Sequence, residues 1–127
     1  MRVLVFGTFD RLHPGHRFVL AEAAKQGDLF VVIARDTTVK RLKGRLPLQS
    51  EGERAHAIAE VVPGAHVVLG HPDDFLSPVR EIRPDLILLG YDQRLPPGIE
   101  LTDLPCPAER LGAYQPEHFK SSRLRVD

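Results

Sequence analysis

Four short runs of the chain are apolar almost from end to end: VLVF at Val3–Phe6, LFVVIA at Leu29–Ala34, HVVLG at His66–Gly70 and DLILLG at Asp85–Gly90. Continuous apolar runs, unlike alternating ones, mark strands covered on both faces, as in parallel sheets. Helical patterns lie between them. HRFVLAEAAKQG is rich in helix formers and stops at Gly27. SEGERAHAIAEVV sets Ala55, Ile58, Ala59 and Val62 on one face, with Ser50 as N-cap and Glu53 completing a capping box. DDFLSPVREIRP puts Phe75, Val79 and Ile82 on one stripe. Its Pro78 fits only near a helix start, and Pro84 ends the element.

The order β-α-β-α-β-α-β predicts an α/β fold, a Rossmann-like three-layer α/β/α sandwich with a mostly parallel five-stranded sheet. Leu95–Glu117 carries Pro96, Pro97, Pro105, Pro107 and Pro116. It reads as an irregular stretch with at most one short edge strand. Ligands of such sheets bind at the carboxyl ends of the strands. Three segments converge there: GTFDRLHPGH after the first strand, RDTTVK after the second and GYDQR after the fourth.

A length of 127 residues suits one domain, residues 1–127. No run approaches the ~20 apolar residues of a membrane span. The first residues lack the apolar core of a secretion signal, so a cytoplasmic protein is expected. Cys106 is the only cysteine, which leaves no internal disulfide and no thiolate metal cluster. Lysine plus arginine balance aspartate plus glutamate at 17 each, which disfavours non-specific binding to nucleic acid. Charge is nevertheless clustered. Arg35, Lys40, Arg41, Lys43 and Arg45 face one acid, Asp36, in ARDTTVKRLKGR. That local basic segment suits a small phosphorylated ligand.

A strand running into a glycine and then a helix is a phosphate-binding arrangement, because helix N-termini present unpaired N–H groups and a partial positive charge. The helix is expected to begin near Pro14, placing His13 and His16 around its first turn on one side. Gly7 and Gly15 would let backbone approach a ligand closely. Taken alone, a histidine near a helix start is usually a cap or a surface residue, and two at this spacing also read as a metal pair, a weaker reading. For a metal, Asp10 is the only nearby third ligand, so no metal ligand is assigned.

GTFDRLHPGH resembles the signature of the nucleotidyltransferase superfamily, in which H-x-G-H follows the first strand. GYDQ after DLILLG and KSSRL near the C-terminus extend that resemblance from Val3 to Leu124. Within the superfamily the sequence is most similar to the small cytidylyltransferase-like group, which holds glycerol-3-phosphate cytidylyltransferase and the archaeal-type FAD synthases. GYDQ and REIRPDLILLG look more like the latter.

The resemblance implies transfer of a nucleotidyl group from an NTP to a phosphorylated small molecule, with release of pyrophosphate. The first choice is FMN with ATP. The alternative is CTP with glycerol 3-phosphate or a similar alcohol phosphate. A non-catalytic nucleotide-binding regulator is the reading from another class. It draws on Gln115, which stands where the family often has a basic residue. Mg²⁺ or another divalent ion is expected to come with the NTP, and a homodimer is expected.

By the same resemblance His13 and His16 donate N–H groups to the phosphates, the helix N-terminus adds more, and Lys40 and Arg123 add charge. Thr8, Phe9, Gly90, Tyr91, Asp92 and Gln93 join Gly7 and Gly15 around the nucleotide, with Ser121 and Ser122 on its outer phosphates. Asp10, Asp36 and Arg54 fall on the acceptor side. For Asp10 a loop-fixing role is expected over phosphate contact. For Asp36, read as ending the second strand, the rival is a turn-forming aspartate, and for Arg54 a solvated helix arginine.

Overall fold

The computed structural model describes residues 1–112. Its elements are β1 (Arg2–Gly7), α1 (Pro14–Gln26), β2 (Asp28–Ile33), α2 (Asp36–Lys43), α3 (Glu51–Val61), β3 (His66–Leu69), α4 (Leu76–Ile82), β4 (Leu86–Leu89) and β5 (Ala108–Arg110), with one 3-10 turn at Leu101–Asp103. The five strands form a single sheet in the order β3-β2-β1-β4-β5, and every pairing is parallel. β1 and β2 pair along their whole lengths, from Arg2–Asp28 to Gly7–Ile33.

Strand side chains alternate across the sheet, and the core divides accordingly. Val3, Val5, Val31, Ile33 and Leu88 pack with Phe18, Leu20 and Ala23 of α1 and Ile58 of α3. Leu4, Phe6, Val32, Ile87 and Leu89 pack with Val79 and Ile82 of α4. Helices therefore cover both faces, which is why β1 and β4 could be apolar throughout. The three-layer sandwich matches the reading of the sequence, with β5 as the parallel edge strand of the proline-rich stretch.

One element departs from it. RDTTVK, to which the sequence reading assigns no helix, lies mostly in one: α2 spans Asp36–Lys43 and ends at Gly44 in the left-handed conformation. Asp36 is thus the first residue of a helix and does not end β2. Arg35 makes no side-chain cap bond to this helix, and Thr37, Thr38 and Val39 are β-branched, which lowers helix propensity. Tertiary contacts hold α2 instead. Val39 is buried, Asp36 bonds to the start of α3, and Arg41 donates to the Pro72 carbonyl at 3.1 Å. Among the described residues no helix is long and apolar enough to cross a membrane.

Candidate active site

β1 delivers the chain to the carboxyl edge at Gly7, and α1 leaves it again at Pro14. His13 is the N-cap of α1. Its Nδ1 accepts from the backbone N–H of Gly15 at 3.1 Å and of His16 at 3.3 Å. In return, the His13 backbone N–H donates to His16 Nδ1 at 3.4 Å. This is a capping box built from two histidines. An imidazole nitrogen that accepts carries no proton, so both rings hold their proton on Nε2. The rings stack 3.7 Å apart at 19°, and the Phe9 ring meets His16 edge-on at 5.5 Å.

This geometry revises the donor inventory. Pro14 has no N–H, and the Gly15 and His16 amides are engaged with His13. The N-terminal amides of α1 are therefore not free, which leaves the imidazole Nε2–H groups as the donors that this turn can present. Accepting two amide bonds at Nδ1 polarises the His13 ring and strengthens Nε2–H as a donor. Burial, reinforced by the neighbouring His13, lowers the His16 pKa to about 4. At neutral pH His16 is then an uncharged donor. Gly15 serves the ring packing: a Cβ there would sit 3.0 Å from His13 Cε1. At Gly7 a Cβ would meet the Phe9 ring at 3.1 Å. In both cases the missing side chain makes room for a side chain of this protein.

The connecting loop is strained and held. Phe9 and Arg11 have φ of 52° and 58°, in a region that costs non-glycine residues about 1–3 kcal/mol each. Three ties offset that strain. Asp10 accepts from the backbone N–H groups of Leu48 at 2.8 Å and Gln49 at 2.9 Å. Burial works to raise the Asp10 pKa, but these amide bonds and the charges of Arg54 and Arg11 outweigh it and hold the carboxyl below its ordinary value. The Arg11 N–H donates to Gln49 Oε1 at 2.9 Å. Phe9 is itself a core residue, 6% exposed.

Arg54 makes the third tie. It is fully buried and donates from Nε to the Gln49 carbonyl at 3.1 Å, from Nη1 to the Thr8 carbonyl at 2.7 Å, and from Nη2 to Asp36 Oδ1 at 2.7 Å. The solvated helix arginine is therefore overturned. As an acceptor ligand Arg54 has no exposed surface to offer. It joins α3 to α2 and to the loop leading into His13. Asp36 completes the junction, exchanging bonds with the backbone N–H and side chain of Glu51, which also pairs with Arg35 at 3.3 Å.

Of the cations on α2, Lys43 reaches the loop, with Nζ 3.5 Å from Thr8 Oγ1. Lys40 is exposed one turn earlier. Lys43 had been visible only as one charge among five.

On the other side of β1, the loop after β4 is ordered by two side chains. Gln93 accepts from the Gly90 N–H at 3.0 Å and donates to the Phe6 carbonyl at 2.6 Å, tying β4 to β1. Its amide is spent on backbone rather than on a base. From β5, Arg110 Nη1 donates to the carbonyls of Gly90 at 2.9 Å, Tyr91 at 3.3 Å and Gln93 at 2.5 Å. Sequence reasoning missed Arg110, since nothing local marks an arginine whose acceptors are all main-chain. Tyr91 and Asp92 stand exposed on the loop so formed. Ser121, Ser122, Arg123 and Gln115 lie outside the described residues. Among the described residues no three His, Cys, Asp or Glu side chains cluster in a way that could hold a metal ion.

Residues 4–103 match the model of the family described as cytidylyltransferase-like. An FAD synthase of Aciduliprofundum boonei is 50% identical over 95 residues, covering 74% of this chain, which spans 63% of that relative's length. An FAD synthase of Methanospirillum hungatei is 40% identical over 129 residues, with 97% of this chain and 81% of the relative covered. Among solved structures, one described as a lipopolysaccharide core biosynthesis protein from Thermoplasma volcanium superposes with a TM-score of 0.80 at 36% identity, over 91% of this chain and 98% of its own. With its paired histidines at the start of α1 and the family match over residues 4–103, the chain belongs to the cytidylyltransferase-like family of nucleotidyltransferases.

Proposed function

We propose that this chain is an FMN adenylyltransferase, joining FMN and ATP into FAD and pyrophosphate. Relatives of 40–50% identity that bear the name FAD synthase support the reading. In the site, the observation that carries it is the doubly capped histidine pair, two imidazoles locked in the Nε2–H tautomer at the carboxyl end of the central strand.

The acceptor phosphate is a monoester whose second pKa is ~6, so it is an anionic nucleophile at neutral pH without a general base. One of its oxygens attacks the α-phosphorus of ATP. The bond from that phosphorus to the bridging oxygen of the β-phosphate breaks, and pyrophosphate leaves with the electron pair. What the protein supplies is in-line positioning and donors to the growing charge. In this reading His13 and His16 donate Nε2–H to phosphate oxygens. The tautomer fixed by the capping box presents Nε2–H without a proton having to move first. Lys43, beside Thr8, adds positive charge on the acceptor side, with Lys40 on the same helix. Asp92 accepts from ribose hydroxyls, and Tyr91 borders the base. Ser121, Ser122 and Arg123 keep the outer-phosphate role that the resemblance implies. Asp10, Asp36 and Arg54 act by holding the loop. A divalent ion bound to the triphosphate would neutralise phosphate charge. It would be held mainly by substrate and water, as is usual for Mg²⁺ on a nucleotide.

The test is a panel of ATP and CTP against FMN, glycerol 3-phosphate and phosphocholine, scored by pyrophosphate release. FMN with ATP is expected to give product. Release only with CTP and a small alcohol phosphate would move the assignment to a cytidylyltransferase. Nucleotide binding without release from any pair would make the protein a regulator.

A further inference from the structure

Exposed apolar side chains stand on the connections on each side of β1, whose neighbours are β2 and β4. On the β4 side stands Tyr91, 57% exposed. On the β2 side, the strap between α2 and α3 presents Leu46 at 56% and Leu48 at 76% exposure. These leucines are not on a loose tip. The Leu48 and Gln49 amides are pinned to the Asp10 carboxylate, and Gln49 Oε1 holds the Arg11 N–H. The strap is thus tied to the same loop that runs into His13. Pro47 restricts Leu46 before it to extended backbone.

Charge is arranged to match. Lys43 and Arg45 immediately precede Leu46, and Lys43 reaches Thr8 on the catalytic loop. The surface therefore suits a molecule with a broad apolar head and an anionic phosphate tail. We infer that Leu46 and Leu48 form the platform on which the isoalloxazine ring of the acceptor lies, with its phosphate directed past Lys43 to the histidine pair. This inference rests on the FMN reading and deepens it.

The geometry of the reaction sets which ring goes where. Adenylyl transfer to FMN brings together two substrates that each carry a ring system, and their phosphates must meet between the rings. With Tyr91 and Asp92 on the nucleotide side, the strap is, among the described residues, the exposed apolar surface on the other side of β1. The dimethylbenzene edge of the ring is hydrocarbon, and it can be covered by aliphatic side chains without aromatic stacking. A second copy of the chain is the poorer occupant. A stable dimer buries ~1,200–2,000 Å² in total, whereas the strap offers two leucines. The cations beside them, Lys40, Arg41, Lys43 and Arg45, would face their own copies across a two-fold axis.

The experiment uses the full chain and the Leu46→Ser/Leu48→Ser double variant. KM for FMN and for ATP is read from pyrophosphate release, and riboflavin binding from quenching of its fluorescence. The variant is expected to raise KM for FMN about tenfold, from lost apolar contact, and to weaken riboflavin binding in parallel. KM for ATP should stay within about twofold, a difference worth under half a kcal/mol. The Leu46→Met/Leu48→Met pair should restore both flavin readouts. If the serine variant loses its fold, Leu48→Ser alone, at the more exposed position, gives the same test with a smaller rise. An unchanged KM for FMN overturns the platform, and so does an equal rise in both KM values. A shift from dimer to monomer on size exclusion with flavin binding intact overturns it in favour of a contact between copies. If the unaltered chain makes no pyrophosphate from FMN and ATP, the underlying reaction is wrong, while the riboflavin titration still decides whether the strap holds a flavin ring.

Discussion

His13 Nδ1 accepts the His16 backbone N–H at 3.3 Å, while His16 Nδ1 accepts the His13 backbone N–H at 3.4 Å. The two residues thus cap one helix and fix one another's tautomer. Capping is what the geometry shows of His13, donation to phosphate is what is proposed for it, and substitution can separate the two. His13→Ala should lose activity and also helix stability, since removing an N-cap costs about 1 kcal/mol. His13→Asn should recover most of the stability, because asparagine is a good N-cap, yet stay ~10²–10³-fold slower, the usual loss for one transition-state donor. Melting curves and turnover on both variants check this. Recovery of turnover by asparagine would reduce His13 to a structural cap.

His16 should make the protein acid-sensitive in a defined window. Its folded pKa is about 4, lowered first by burial and then by His13, against ~6.5 when unfolded. Between these values the unfolded chain binds the proton and the folded chain does not. Stability therefore rises with pH across the window. The contribution is complete above pH ~6.5 and is lost as pH falls toward 4. The melting temperature of wild type should drop over that range more steeply than that of His16→Gln, which cannot titrate. Parallel slopes would show that His16 is not held neutral by the fold.

Arg54 should behave as a positioning residue. Its three nitrogens bond to the Gln49 and Thr8 carbonyls and to Asp36. Removing one member of a buried ion pair costs about 3–5 kcal/mol, and Asp36, part-exposed, should bring Arg54→Ala to the low end. The melting temperature should fall clearly, and the KM values for FMN and ATP should rise together as the loop into His13 loosens. Arg54→Lys, keeping the charge but not the fork, should recover only part of both. A selective rise in KM for FMN at unchanged stability would return Arg54 to the acceptor site.

What was legible in the sequence follows from what leaves a local trace. Apolar runs such as VLVF and the Ser50–Glu53 capping box carry their structure in neighbouring residues, and both formed as read. The H-P-G-H spacing announced the two imidazoles, though not that they would consume the helix amides. α2 was hidden because Thr37, Thr38 and Val39 favour strands locally, and burial of Val39 with contacts to α3 and the Pro72 carbonyl holds a helix there. Arg54 and Arg110 were opaque for a related reason. Most of their acceptors are main-chain carbonyls, and a carbonyl has no letter in the sequence.

Asp92 offers the sharpest division between binding and chemistry. It is exposed on the loop that Gln93 and Arg110 hold in place, and its carboxylate has no bond to another described residue. Among the described residues its side chain caps no helix and fixes no loop, and Asp92→Ala should leave the melting temperature unchanged. Ribose hydroxyls are bound alike before and during phosphoryl transfer, so a contact to them is uniform binding and its loss appears in KM. A hydrogen bond to a charged acceptor is worth ~1.5–3 kcal/mol, so KM for ATP should rise roughly ten- to a hundredfold, with kcat nearly constant. KM for FMN should not follow, because Asp92 sits on the β4 side of β1 and the strap proposed for the flavin on the β2 side. Steady-state kinetics with each substrate varied in turn check the split. A collapse of kcat at constant KM would instead move Asp92 next to the reacting phosphate, and an equal rise in both KM values would mean that the two loops are not independent.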